Sequence, residues 1–101
     1  MKPLDKLESI DFLPYLHDTF CIRLAEIEPI ELELVSVTEA GTRARPELRQ
    51  PFSIHFLGPM SAQYLLQHIY HLEHPRLGEF DLFLVPLGPE GGRMRYEAIL
   101  T

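Results

Sequence analysis

Three histidines, His68, His71 and His74, recur at every third position, and imidazole is a favoured zinc ligand. Their setting argues against a shared metal. The surrounding residues alternate as a strand does, and on a strand residues three apart face opposite sides, so His71 points away from His68 and His74. His68 and His74 would lie about 20 Å apart at roughly 3.3 Å per residue. Only a helix would bring His68 and His71 together, and no cysteine pair or Glu-x-x-His element completes a ligand set. The expectation is no metal and no cofactor. His74 reads as a turn residue whose ring nitrogen bonds a backbone group before Pro75. The single thiol, Cys21, sits between Phe20 and Ile22, without the helix N-terminus or glycine turn that would activate it, and reads as a quiet, partly buried side chain. Gly88-Pro89-Glu90-Gly91-Gly92 precedes a strand pattern rather than a helix, so it is a hairpin loop and not a phosphate cradle. No catalytic set assembles, and an enzyme using Cys21 or His74 is the least favoured reading.

Charge is segregated. Glu26, Glu28, Glu31, Glu33 and Glu39 occupy a stretch without lysine or arginine, while Arg43, Arg45 and Arg49 follow in the next loop and Arg93 and Arg95 mark the last hairpin. For any one residue the simpler reading is a solvated edge that keeps strands from pairing with other chains. Taken together, the charges suggest an acidic face that meets a basic loop of a partner. The leading expectation is therefore a non-enzymatic interaction or structural module. It would present a strand edge and charged loops to another protein or a second copy, with Arg43, Arg45 and Arg49 set opposite Glu31 and Glu33. The alternative is a small-ligand barrel with Tyr70, Tyr96 and His55 as polar groups in an aromatic pocket, although barrels of this size are generally filled.

The chain has 101 residues, enough for a single domain, with 46% apolar and 24% charged residues. Its formal charge of −6 (9 basic against 15 acidic residues) argues against nucleic acid, which calls for a basic face. No apolar stretch is long enough to span a bilayer, and Met1–Lys6 lacks the apolar run of a secretion signal. A lone cysteine excludes an internal disulfide. The expected setting is cytoplasmic, without a membrane partner.

Nine prolines and six glycines cut the chain into short pieces that alternate with period two. Six strands are expected over Thr19–Ala25, Ile30–Thr38, Pro51–Gly58, Gln67–His74, Glu79–Leu87 and Arg93–Leu100. The phase slips near Leu34-Val35, where a β-bulge would explain it. Phe83, Val85 and Leu87 make the later part of the fifth strand apolar on both faces, which suggests burial on both sides. Ser61–His68 has helix-forming residues and competes with a loop there. Ser9 is the expected cap of a short N-terminal helix, with Phe12, Leu13 and Leu16 plugging one barrel end. The class is all-β: about six mostly antiparallel strands in a small barrel or sandwich. Residues 1–18 form an extension with the short helix, and residues 19–101 form the β core.

Tyr70-His71-Leu72-Glu73-His74-Pro75-Arg76-Leu77-Gly78, continuing through Leu82-Phe83-Leu84-Val85-Pro86 to Tyr96-Glu97-Ala98, resembles the motif of a family of small bacterial domains of unknown function. Pro51-Phe52-Ser53-Ile54-His55-Phe56-Leu57-Gly58-Pro59 is similar to an upstream strand of that family. The resemblance implies no catalytic residues. It implies an accessory or structural partner near proteins similar to phage tail-collar components.

Overall fold

The computed structural model describes residues 3–24, 28–41, 45, 48–61 and 63–101. Six strands form: β1 (Thr19–Ile22), β2 (Ile30–Glu39), β3 (Phe52–Met60), β4 (His68–His74), β5 (Gly78–Glu90) and β6 (Arg93–Leu100). A single helical turn, α1 (Ser9–Phe12), precedes them, between 3-10 turns at Leu4–Lys6 and Leu13–Tyr15. Every neighbouring pair is antiparallel, and the order β1-β2-β3-β6-β5-β4 closes on itself. The all-β expectation holds, and the architecture is a barrel. Closure corrects one part of the expected mechanism: β1 is paired on both sides, with β2 along its length and with β4 at Cys21 and Ile22, so among the described residues no strand has one side wholly unpaired, as an edge strand of an open sheet does.

The chain makes two three-strand meanders, β1-β2-β3 and β4-β5-β6, joined by residues 61–67. β3 and β4 stand on opposite sides of the ring. The link between them must cross one barrel end, which for six strands is about 12 Å wide between strand axes. Seven extended residues span up to about 23 Å, whereas seven helical residues would span only about 10 Å. Ser61 and residues 63–67 are not helical despite their propensity, and an extended link crosses the opening with length to spare. Leu65 packs on the core, its N–H donating to the Tyr96 hydroxyl at 2.8 Å, and the Tyr70 hydroxyl donates to the Leu66 carbonyl at 2.6 Å.

Alternation decides the interior. Phe52, Ile54 and Phe56 of β3, and Phe80, Leu82 and Leu84 of β5, are buried while the residues between them are not. The expected bulge in β2 is present: Leu34 opposes Phe56 but Ser36 opposes His55, leaving Val35 as the extra residue. The slip turns Val37 toward the core. A second slip between Pro86 and Gly88 leaves Leu87 unpaired. There the sequence expectation fails: Leu87 is 50% exposed and Phe83 is 49% exposed, because among the described residues no second layer covers the outer face of β5 there. Prolines 59, 86 and 89 lie in strands at or beside such slips, where a missing N–H costs least. The β5–β6 turn narrows to Gly91-Gly92, both at positive φ, as a two-residue hairpin turn requires.

The far end of the barrel is closed by the N-terminal segment. The α1 cap is Glu8, one residue before the expected Ser9, and its N–H donates to the Asp11 carboxylate at 2.8 Å. Phe12 is fully buried, its ring 5.7 Å from Phe52, 6.0 Å from Phe80 and 6.5 Å from Phe20. Leu16 packs on the core as expected, but Leu13 faces solvent and Leu7 is buried in the plug with Phe12. Among the described residues no helix is long and apolar enough to cross a membrane.

Truncating the plug ring tests this packing. Phe12→Ala is expected to cost about 3–5 kcal/mol, the range for deleting a buried phenylalanine side chain. Leu13→Ala, one residue on but exposed, is expected to cost under about 1 kcal/mol. Urea unfolding of both variants measures the difference.

Candidate functional site

His74 is 4% exposed, and both of its ring nitrogens have partners. Its Nδ1 accepts the backbone N–H groups of Arg76 and Leu77, both at 3.1 Å, so the ring proton belongs on Nε2, which lies 3.0 Å from the Asp18 carboxylate. The ring also packs at a tilt against Phe20 and Tyr15, with centroids at 4.5 and 4.8 Å. Its backbone partners follow Pro75 rather than precede it.

The residues expected to bind a partner are dispersed. Arg43 lies outside the described residues, as does Glu26. Arg45 is exposed. Arg49 serves the fold: its Nη1 donates to the carbonyls of Leu4 at 2.8 Å and Leu7 at 2.6 Å, its Nε donates to the Thr101 carbonyl at 3.1 Å, and its guanidinium lies over the Phe52 ring. It ties the N-terminal plug to the chain's last residue. Glu31 is exposed. Glu33 meets His17 at 3.0 Å and Arg93 at 2.9 Å, and these two neighbours hold its carboxyl below the usual carboxylate range. Arg93 also donates to the Gly58 carbonyl at 2.6 Å. The acidic run and the last-hairpin arginine thus meet within one chain.

Of the three residues of the alternative ligand pocket, Tyr70 and Tyr96 come near one another, and His55 does not join them. Tyr96 and Tyr70 hold the 61–67 crossing, and burial pushes both phenols' ionisation up. His55 is on the outer face, accepting from Arg95 Nε at 2.8 Å through Nδ1 and meeting Glu97 at 2.9 Å through Nε2. The interior instead holds packed rings, including Phe12, Phe20 and Phe56.

What remains is the outside. On β4 and β5 the outward residues form three successive cross-strand pairs: Glu73 with Glu79, His71 with Asp81, and Ile69 with Phe83. The polar end is crowded with ionisable groups. His71 bridges two carboxylates, Nδ1 to Asp81 and Nε2 to Glu79, each at 2.8 Å, and Glu79 and then Asp81 raise its pKa above the ordinary imidazole value. Arg23, just past β1, donates from Nε to Glu73 at 2.8 Å. Cys21, a free thiol, sits between Glu31 and Glu73 in the register of β1. Thr19, Cys21, Glu73 and Glu79 help to line an open depression of about 430 Å³ here. A second depression of about 450 Å³, among Tyr64, Leu87 and Met94, lies by the β5–β6 hairpin. Sequence spacing hid the His71 group because its carboxylates come from the neighbouring strand. The visible signal was Glu73, Glu79 and Asp81 at the outward positions on either side of a short turn.

Two outcomes follow from these geometries. His74→Ala strands one buried and one part-buried N–H group and removes a packed ring, and is expected to cost about 2–4 kcal/mol in urea unfolding. Glu33 carries a folded-state pKa below its unfolded one, so its stabilisation is complete above about pH 4.5 and fades as pH falls through the folded value. Glu33→Gln is expected to flatten the acid side of a plot of melting midpoint against pH.

No curated protein and no solved structure matches the chain. A sequence profile of the family described as Domain of unknown function (DUF6916) matches residues 7–100, a span that begins at the plug residue Leu7 and runs to the end of β6. The chain belongs to that family of domains of unknown function.

Proposed function

We propose that the chain is a non-enzymatic protein-interaction module that works through the outer face of β4 and β5 rather than through its interior or a strand edge. The observation that carries this reading is the pair Ile69 and Phe83. They are register partners, 59% and 49% exposed, in the middle of a hairpin whose opposite face is the core. Leu66, 71% exposed, is joined to the start of the same hairpin through its carbonyl's bond to Tyr70. A cluster of exposed large apolar side chains is a common mark of a protein-binding surface. The polar half of the face and the exposed Glu31 and Arg45 supply charge that sets orientation more than affinity. The core demands most of the large side chains of so short a chain, which speaks against a ligand pocket. Arg49 and Glu33, engaged inside the fold, contribute through their positions rather than as contact residues. An accessory place in a phage-tail-like assembly is the form of this role that the sequence resemblance favours.

Ile69→Asp and Phe83→Asp, on the solvent face, should leave the circular dichroism spectrum unchanged. In affinity purification from the native host, with light scattering on the purified chain, the wild type should carry a stoichiometric partner or self-associate, and either variant should reduce that association at least tenfold. A wild-type chain that stays monomeric and brings down nothing beyond what both variants bring down removes the proposal.

A further inference from the structure

We propose that the outer face of β1, β4 and β5 binds one divalent transition-metal ion of the zinc class through His71, Glu73 and Glu79. This goes beyond the protein-interaction reading and rests on different side chains. One donor atom from each of the three residues lies within 4.8 Å of the other two. Ligand atoms in tetrahedral zinc sites stand about 3.3 Å apart, from metal–ligand distances near 2.0–2.1 Å. Glu79 is exposed and Glu73 partly so, so rotation of their side chains can close that gap without moving the backbone.

The backbone, in turn, is set. Glu73 and Glu79 are direct cross-strand partners, and His71 is two residues from Glu73 on the same outward face, so the ladder that builds the barrel fixes the positions of all three ligands. Like charges placed directly opposite each other are destabilising unless a cation meets them. Glu73, Glu79 and Asp81 carry three negative charges against the one positive charge of Arg23. With a neutral imidazole the group is left at −2, the charge one divalent ion cancels.

The remaining contacts suit a metal centre. Asp81 holds His71 Nδ1 at 2.8 Å, while Nε2 faces Glu79. A metal-ligating histidine commonly has its other ring nitrogen held by a carboxylate in this way. Arg23 engages Oε1 of Glu73, leaving the other oxygen for the ion. Glu73 and Glu79 open into the depression of about 430 Å³ that Cys21 also lines. One nitrogen and two carboxylate donors favour zinc or a neighbouring transition metal over magnesium or calcium, which take all-oxygen shells.

The competing state is His71 protonated, bridging its two carboxylates with no ion, and a titration separates the two. Untagged full-length protein, stripped with EDTA and dialysed, would be titrated with zinc chloride by calorimetry, with thermal melting alongside. The expected result is saturable binding of one ion per chain and a raised melting midpoint. His71→Ala and Glu79→Gln should each weaken binding at least tenfold, and Glu90→Gln, at an exposed carboxylate paired with Arg95 at the other end of β5, should leave it unchanged. All three positions are exposed, so circular dichroism should report intact folds. Zinc that fails to saturate, zinc binding that survives both cluster variants, or magnesium chloride that binds as tightly would each overturn the site.

Discussion

Closing six short strands into a ring commits every second side chain to a space that only packing groups can fill. For this chain that single constraint organises the rest. The ring takes Phe20, Phe52, Phe56 and Phe80 inward and admits Phe12 from outside as a stopper. A strand that alternates cannot also point a reactive residue at that space without leaving a polar group dry, and such a group is costly. Among the described residues His74 and Tyr96 are the buried titratable side chains; His74 is satisfied by two backbone N–H donors and a carboxylate, and the Tyr96 hydroxyl accepts the Leu65 N–H. The interior is therefore given over to packing, and the fold leaves its outer surface and its ends to meet solvent.

Two stoppers of different kinds close those ends. At one, a helical turn inserts Phe12 and Leu7, and Arg49 secures it by reaching three carbonyls from the N-terminal segment and the chain's last residue. At the other, the obligatory crossing from β3 to β4 lies over the opening, held by two tyrosine hydroxyls. The tyrosines that suggest a ligand site by composition are taken up by the topology. A chain whose two meanders must be joined across the barrel needs polar anchors where the link passes, and Tyr70 and Tyr96 meet that need with an apolar body and a polar tip.

Alternation made the strands, their inward faces and the Val35 slip legible from the residues alone, because each is a local consequence of period two. The failures have a common physical origin. Burial of the outer face of β5 cannot be judged from β5 itself, since it depends on whether another layer covers that face, and among the described residues none does at Phe83 and Leu87. The helix cap shifted from Ser9 to Glu8 because Asp11 could reach the Glu8 N–H. Charge pairing was the least legible of all: Glu33 and Arg93 are sixty residues apart in sequence, and only the ring order brings β2 and β6 to either side of β3. The same holds for His71, whose neighbours on β5 become visible once the short turn after His74 sets the register.

The outer face of β4 and β5 then divides by register into an apolar pair and an ionisable group, one rung apart. That division has a consequence for how the two could be used. Ile69 and Phe83 would contribute by losing water, a contribution that is not electrostatic and so is not screened. The His71 group would contribute by charge, which solvent screens as long as the face is open. A protein seated on the apolar pair would also cover the rung beside it, lowering the local dielectric around three carboxylates and making a counter-charge there worth more than in the open state. An ion held by His71, Glu73 and Glu79 would then bind more tightly with a partner in place, and by reciprocity the partner would bind more tightly with the ion. The strand register alone puts the two on adjacent rungs, so coupling between them needs no moving part in the barrel.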